Sequence, residues 1–290
     1  MTEPVESRPL LNISRAAEIF WYTSQTEWME LVEQGQLLLH KTSPDHAVVL
    51  YVAEPVKSMA DLIARSSEPD LLRLLALGDP GKVNEALDRL REQARSGTLN
   101  GLAGAGELPG PSRAMLQDDT SAGLADRHKG WLGQYVGNRW IFFYAEDKLE
   151  TPTHDEHIEK LGPQWRAEIE RVITASNPTT SALRDIDELT WYGYVDGNLL
   201  GGAMGVERRR NSDGTLGSHF AGLGTDPDMQ GRGIGGSVMA GTINRELDET
   251  DLTTFGMWSW NDKARRLYNR LGIIEGHEYI TYSTTPLQES

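Results

Sequence analysis

The sequence predicts a mixed α/β (α+β) protein in two parts, residues 1–130 and 131–290, the second built on a mostly antiparallel sheet with flanking helices. Two observations carry this. From Leu189 onward, apolar runs alternate with turn residues, and Asp196-Gly197 between Leu189 to Val195 and Leu199 to Arg208 is a strong hairpin signal. Ahead of them, Ser96 to Ser112 is dense in Gly and Pro and poor in large apolar side chains, so it cannot hold a long regular element and reads as a loop or linker.

In chain order, Thr23 to Glu33 carries helical spacing. Gln36 to His40 and Ala47 to Ala53 flank the turn-rich Thr42-Ser43-Pro44-Asp45 and predict a hairpin. Lys82 to Ala94 places Val83, Ala86, Leu87, Leu90 and Ala94 on one stripe of a helix. This N-terminal part shows no nucleotide loop, metal spacing or catalytic constellation, so its expected role is scaffold or substrate lid. Beyond the linker, Arg139 to Ala145 reads as a short aromatic strand. Thr153 to Thr174 reads as a polar helical region interrupted by Pro163. After the hairpin, a third strand, Ser218 to Thr225, follows the turn Asn211-Ser212-Asp213-Gly214 and runs directly into a glycine-rich loop.

Composition narrows the chemistry. Without cysteine there is no disulfide framework, thiolate nucleophile or cysteine-ligated metal. A net charge of −15 repels nucleic acid and anionic membrane surfaces, and no stretch approaches the ~20 apolar residues that span a bilayer. The expectation is therefore a cytoplasmic protein with no nucleic-acid or membrane partner, with monomer and homodimer both open. Glu207-Arg208-Arg209-Arg210 reads as a solvated hairpin end. His154-Asp155-Glu156-His157 lacks the HExxH order and reads as a solvated helix start, so no metal is expected.

Chemistry concentrates in Gln230-Gly231-Arg232-Gly233-Ile234-Gly235-Gly236, between the third strand and a helix with Ile234, Val238, Thr242 and Ile243 on its apolar side. A strand, glycine loop and helix in this order presents unpaired amides and the positive end of a helix dipole to an anion. Arg232 can add a charge-assisted contact. The pattern says phosphate without saying which. No Gly-Lys-Ser or Gly-Lys-Thr step is present for a P-loop, and antiparallel strands rather than a βαβ unit precede the loop, which fits a dinucleotide fold poorly. A glycine-rich turn without a ligand stays open.

Gln230-x-x-Gly233-x-Gly235 after a strand and Asp226-Pro227 resembles the acyl-CoA signature of GNAT acyltransferases. Strand Thr253 to Trp260, then Asn261-Asp262-Lys263-Ala264, Leu267-Tyr268 and Leu271-Gly272-Ile273, is similar to that family's next motif. Asn261 is a good N-cap, Ala264, Leu267, Tyr268 and Leu271 form one stripe, and Gly272 is placed to end the helix. The resemblance covers Arg139 to Thr285. It implies a GNAT-like sheet whose fourth and fifth strands splay, with acetyl-CoA or another acyl-CoA as cosubstrate and no metal. The pantetheine would pair with the backbone of Leu223, Gly224 and Thr225, the last standing where the family commonly has valine. The diphosphate would sit on the amides of Gln230 to Gly236, Asn261 and Ala264 would border the pantetheine, and Tyr268 would lie beside the thioester sulfur.

The implied reaction is attack by an amine of a small molecule or peptide on the thioester, without a protein nucleophile. Tyr268 is the candidate acid. The candidate base is His219, eleven residues before Gln230, where the histone acetyltransferase branch carries a glutamate; Glu207 on the neighbouring strand is the substitute. Alternation is expected to put His219, Ala221, Leu223 and Thr225 on one face. Trp258 and Trp260 are expected to pack in the core, with a pocket wall as the alternative. A CoA-binding sensor or scaffold without turnover, or a carrier-protein acyl donor, stays open. The N-terminal hairpin and following helix stand in an order compatible with a degenerate second copy of the same fold, as occurs in tandem members of the family.

Overall fold

The computed structural model describes residues 37–43, 45–69, 71–137, 139–210 and 216–284. The expected helix Thr23 to Glu33 and the turn Asn211 to Gly214 lie outside the described residues. The chain divides into two compact units, the described parts of Met1–Trp140 with His277–Ser290, and Ile141–Gly276.

The first unit opens on the predicted hairpin, β1 (Leu37–Ser43) antiparallel to β2 (His46–Val52), with Ser43 opposite His46. After α1 (Met59–Ala64), β3 (Leu72–Gly78) pairs antiparallel with β2. Helix α2 (Pro80–Ser96) then carries the chain to β4 (Arg113–Gln117), which lies parallel to β3. The stripe foretold for α2 is buried in full, Asp79 caps its first turn by accepting from the Lys82 amide, and Gly97 ends it at φ 73°. The Gly- and Pro-rich stretch is a loop inside this unit and not a linker between units. Its leucines, Leu99, Leu102 and Leu108, are buried in the unit's core, and the Ser112 hydroxyl bonds both the amide and carbonyl of Leu72. Apolar anchors spaced along an irregular segment suffice to pack it. Short helices α3 (Asp118–Ala122) and α4 (Asp126–Leu132) and strand β5 (Gln134–Tyr135) follow.

The second unit contains β6 (Trp140–Ala145) from Ile141 on, β7 (Ile158–Leu161), α5 (Arg166–Ser176), β8 (Thr190–Asp196), β9 (Leu199–Arg210), β10 (Leu216–Thr225), α6 (Ile234–Glu246), β11 (Leu252–Trp258) and α7 (Asp262–Arg270). Its strand order is β6-β11-β10-β9-β8-β7. Neighbours run antiparallel from β7 to β10 and parallel at β10/β11. The final strand, β12 (Ile274–Ser283), contributes Tyr279 to Tyr282 to the first unit as antiparallel partners of β4.

One expectation fails here. Thr153 to Thr174 is not helical throughout: Ile158–Leu161 is strand, and the α-helix begins only at Arg166. Two apolar residues three apart suit either state, and pairing with β8 decides between them. His154 to His157 likewise is not simply solvated, because His157 Nδ1 lies 2.9 Å from the Val195 carbonyl and Asp155 pairs with Arg245 at 2.7 Å.

Each face of the second sheet has its own core. Tyr192, Met204, Val206, Phe220 and Phe255 pack towards α6, whose Val238 and Ile243 join them. Trp191 and Ala203 pack towards α5 through Ile169, Val172 and Ile173. At the far end of α6 the fully buried Glu246 accepts from Tyr192 Oη at 2.8 Å, Arg208 Nε at 2.7 Å and the Ser218 hydroxyl, and Arg208 also pairs with Glu249. Arg208 is thus anchored to a helix, contrary to a wholly solvated hairpin end. Burial alone pushes the Glu246 carboxyl up, but the hydrogen bonds from Arg208, Ser218 and Tyr192 outweigh it and hold it below the usual carboxylate range. A depressed folded-state pKa gives stability that is present in full above the unfolded value of 4.5 and lost as pH falls through the folded one. Removing one partner of a buried pair costs about 3–5 kcal/mol. Glu246→Ala should therefore be destabilised by that amount in urea unfolding at pH 7, with the deficit narrowing at pH 3; an equal deficit at both pH values contradicts the assignment.

Candidate active site

β10 and β11 pair only at Gly217, Ser218 and His219, opposite Leu252, Thr253 and Thr254. Both strands continue, to Thr225 and Trp258, without pairing further. On its other edge β10 shifts register between Ala221 and Gly224, where Gly222 takes φ +73°. An L side chain at that φ is strained, and glycine is what lets the strand bulge and leave its parallel neighbour. The bulge also breaks the expected alternation. His219 and Ala221 lie on the α5 side, but Leu223 packs with the core on the α6 side, and a Cβ at Gly224 would meet Ser176 and Ile173 of α5. Leu223 and Thr225 therefore do not share a face with His219. Asn177, just beyond α5, donates to the Leu223 carbonyl at 3.3 Å, and Gln230 Nε2 donates to that of Thr225 at 3.3 Å.

Beyond Thr225 the chain enters a turn capped by Asp226, whose carboxylate accepts from the Asp228 amide and pairs with Arg171 of α5 at 2.8 Å. The Arg171 guanidinium holds the Asp226 carboxyl below its ordinary range, so the turn is tied down by a charged carboxylate at neutral pH. Then comes the loop. Gly231 and Gly233 take φ 79° and 83°, with open space where a Cβ would project. Gly235 and Gly236 serve packing instead, since a Cβ there would lie 2.9 Å from Thr225 Oγ1 and 3.3 Å from Leu267 Cδ1. Helix α6 starts at Ile234, and the Ser237 amide is the first to reach back, to the Gly233 carbonyl at 3.0 Å. Among the described residues, no protein group accepts from the amides of Gly231 to Gly236. Exposed Arg232 reaches the Asp228 carbonyl at 3.2 Å. Unpaired amides at a helix N-terminus are an arrangement able to receive an anion.

Helix α7 begins as the sequence foretells: Asn261 Oδ1 accepts from the Ala264 amide at 3.2 Å, and Gly272 closes it at φ 80°. Tyr268 is 7% exposed, edge-on to Phe143 and Phe255 at centroid distances of 5.4 and 4.7 Å. Burial pushes its hydroxyl up to about 12.

His219 is buried on β10, its Nδ1 3.0 Å from Thr254 Oγ1, and stands opposite Glu207 of β9. Its sequence neighbour Phe220 and Thr254's neighbour Phe255 both pack on the α6 side, so His219, Glu207 and Thr254 face the opposite side of the sheet from Tyr268. The proposed acid and base thus sit on two faces at the point where the strands part. Trp258 and Trp260 do not pack in the core: they are 47% and 64% exposed, and β11 ends at Trp258. Both lie beyond the last β10/β11 pair, His219 with Thr254.

Residues 150–273 match the model of the acetyltransferase (GNAT) family. That segment is a domain of the GNAT family. Among solved structures, a GCN5-related N-acetyltransferase from Kribbella flavida is 16% identical, with 92% of this chain and 94% of that chain covered and a TM-score of 0.48. A GNAT-family acetyltransferase from Colwellia psychrerythraea is 11% identical over 68% of this chain and 71% of that one, at 0.46. A GCN5-related N-acetyltransferase from Sphaerobacter thermophilus is 13% identical over 85% and 79%, at 0.42. These likenesses say nothing of the acceptor. No curated protein matches the chain.

In the GNAT domain, sequence reasoning missed Asn177, Arg171 and the Glu246 cluster. Only Glu246 left a signal, a carboxylate continuing the apolar stripe of α6 three residues beyond Ile243. The left-handed residues of the loop give a direct test of its geometry. Gly233→Ala should lose about 1–2 kcal/mol in urea unfolding, the cost of a left-handed L residue; no loss would place this residue in an ordinary conformation.

Proposed function

We propose that the GNAT domain moves an acyl group from acyl-CoA, acetyl-CoA in the simplest case, to an amine of a small molecule or peptide by direct attack. One observation carries this reading: the amides from Gly231 to Gly236 have no acceptor among the described residues and stand where β10 has parted from β11. A diphosphate matches that donor set in charge and hydrogen-bonding capacity, with Arg232 able to add a charge-assisted contact. The backbone of Leu223, Gly224 and Thr225 would hold the pantetheine amides, and Asn261 and Ala264 would border the arm. The donor's thioester would supply an electrophilic carbonyl and a thiol leaving group.

This chain's residues would do the rest. His219, backed by Glu207, would take a proton from the amine on the α5 side of the sheet. Tyr268 would meet the sulfur on the α7 side. A phenol at about 12 stays protonated at neutral pH, and full transfer to a thiolate near 8.5 runs uphill. Its contribution is then a hydrogen bond to sulfur that strengthens as charge develops. Tyr268→Phe should lower kcat about 10²-fold with KM for acetyl-CoA little changed, measured by thiol release. An unaltered kcat removes Tyr268 from the chemistry. The reading as a whole is tested by calorimetry with acetyl-CoA and by thiol release across amines, amino acids and peptides; no heat and no turnover would sink it.

The first unit supports a second proposal, that it is a degenerate copy without a site. An antiparallel run β1-β2-β3 followed by α2 and a parallel β4 repeats β8-β9-β10 followed by α6 and β11. In this copy Asp79 fills the N-terminus of α2 with its own carboxylate, and Gln117 at the end of β4 accepts from the Gly78 amide at the end of β3. The strand pair is laced shut where the other opens. Equilibrium binding should therefore give close to one acetyl-CoA per chain, and a second site of comparable affinity would contradict it.

A further inference from the structure

We propose that Trp258 forms the outer wall of the acceptor subsite and that the acceptor amine carries a flat aromatic group stacking on this indole, an inference that rests on the acyl-transfer reading above. Four observations converge. The Thr254 hydroxyl touches His219, which fixes the face of β11 that meets the base. Gly256 and Trp258 follow on that same face by alternation, and Phe255 and Met257 between them pack into the opposite core. Both Gly256 and Trp258 are exposed, and Gly256 leaves no side chain between Thr254 and the indole. Among the described residues, no aromatic ring stacks on Trp258 and no cation covers it.

The slot therefore has a reactive end and an apolar end. At the first, His219 stands opposite Glu207, which supplies negative charge for the ammonium that must lose its proton. At the second, four residues along the strand and ~13 Å away at most, an open indole face awaits a planar partner. The indole can lean back over Gly256, which shortens the gap to the length of an aromatic ring on a short alkyl linker. A linear diamine would set its second ammonium on the indole, a cation–π contact worth about 0.5–1 kcal/mol at an exposed site, without the apolar area that a stacked ring buries. A small amino amide would leave the indole bare.

The experiment uses the full chain with acetyl-CoA and three acceptors, 2-phenylethylamine, 1,4-diaminobutane and glycinamide, followed by thiol release. Acceptor binding is read separately by calorimetry on protein saturated with CoA. The expected result is the lowest KM for 2-phenylethylamine. Trp258→Ala should raise that KM roughly 10-fold, leave KM for acetyl-CoA unchanged, and be largely rescued by Trp258→Phe. An unchanged KM for 2-phenylethylamine in Trp258→Ala, or a lower KM for 1,4-diaminobutane in the unsubstituted chain, overturns the subsite. Acetyl-CoA binding with no binding of 2-phenylethylamine to the CoA complex overturns the subsite alone. Failure to bind acetyl-CoA at all overturns the acyl-transfer reading and this inference with it.

Discussion

Past His219 and Thr254, β10 and β11 stop bonding to each other, and the rest of the site is arranged around that gap. Two parallel strands that stay paired would bury their backbone groups in each other and leave nothing for a ligand to use. Parting them exposes edges inside a sheet, which is costly unless something else satisfies the groups. The bulge at Gly222 starts the departure on one strand. Asn177 and Gln230 then take up carbonyls of Leu223 and Thr225, so the opened segment is partly satisfied before any ligand arrives.

The gap needs anchors on both sides. The Asp226–Arg171 pair ties the turn after β10 to α5, while Glu246 ties the far end of α6 to β8, β9 and the paired start of β10. β10 is therefore held at both its paired and its open end, and α6 is held at its C-terminal end. A helix fixed in this way presents its N-terminal amides in a set direction without a side chain to cap them. In the first unit the same strand-helix-strand order reaches the opposite outcome through two side chains, Asp79 and Gln117.

Local chemistry made much of this legible. The stripe of α2, the Asp196-Gly197 hairpin, the Asn261 cap and the glycine loop rest on signals within a few residues of one another, and the structure reproduces them. What resisted reading depends on partners distant in sequence. Ile158 to Leu161 is strand because β8 lies beside it, and Arg208 is anchored because Glu246, 38 residues on, is buried beneath it. Likewise, alternation beyond Ala221 fails because of a bulge that a single glycine permits but does not announce. Trp258 and Trp260 read as core because tryptophan is large and apolar, yet they stand at and beyond the end of β11, past its last pair with β10, and are exposed.

All of this turns on whether the amides at the head of α6 receive a diphosphate. The most direct measurement is a titration of isotope-labelled protein with coenzyme A, following backbone amide resonances. The account predicts that Gly231, Gly233, Gly235 and Gly236 shift together along one saturable curve. Saturable binding that leaves those four resonances in place, or that moves amides at the head of α2 instead, would contradict it.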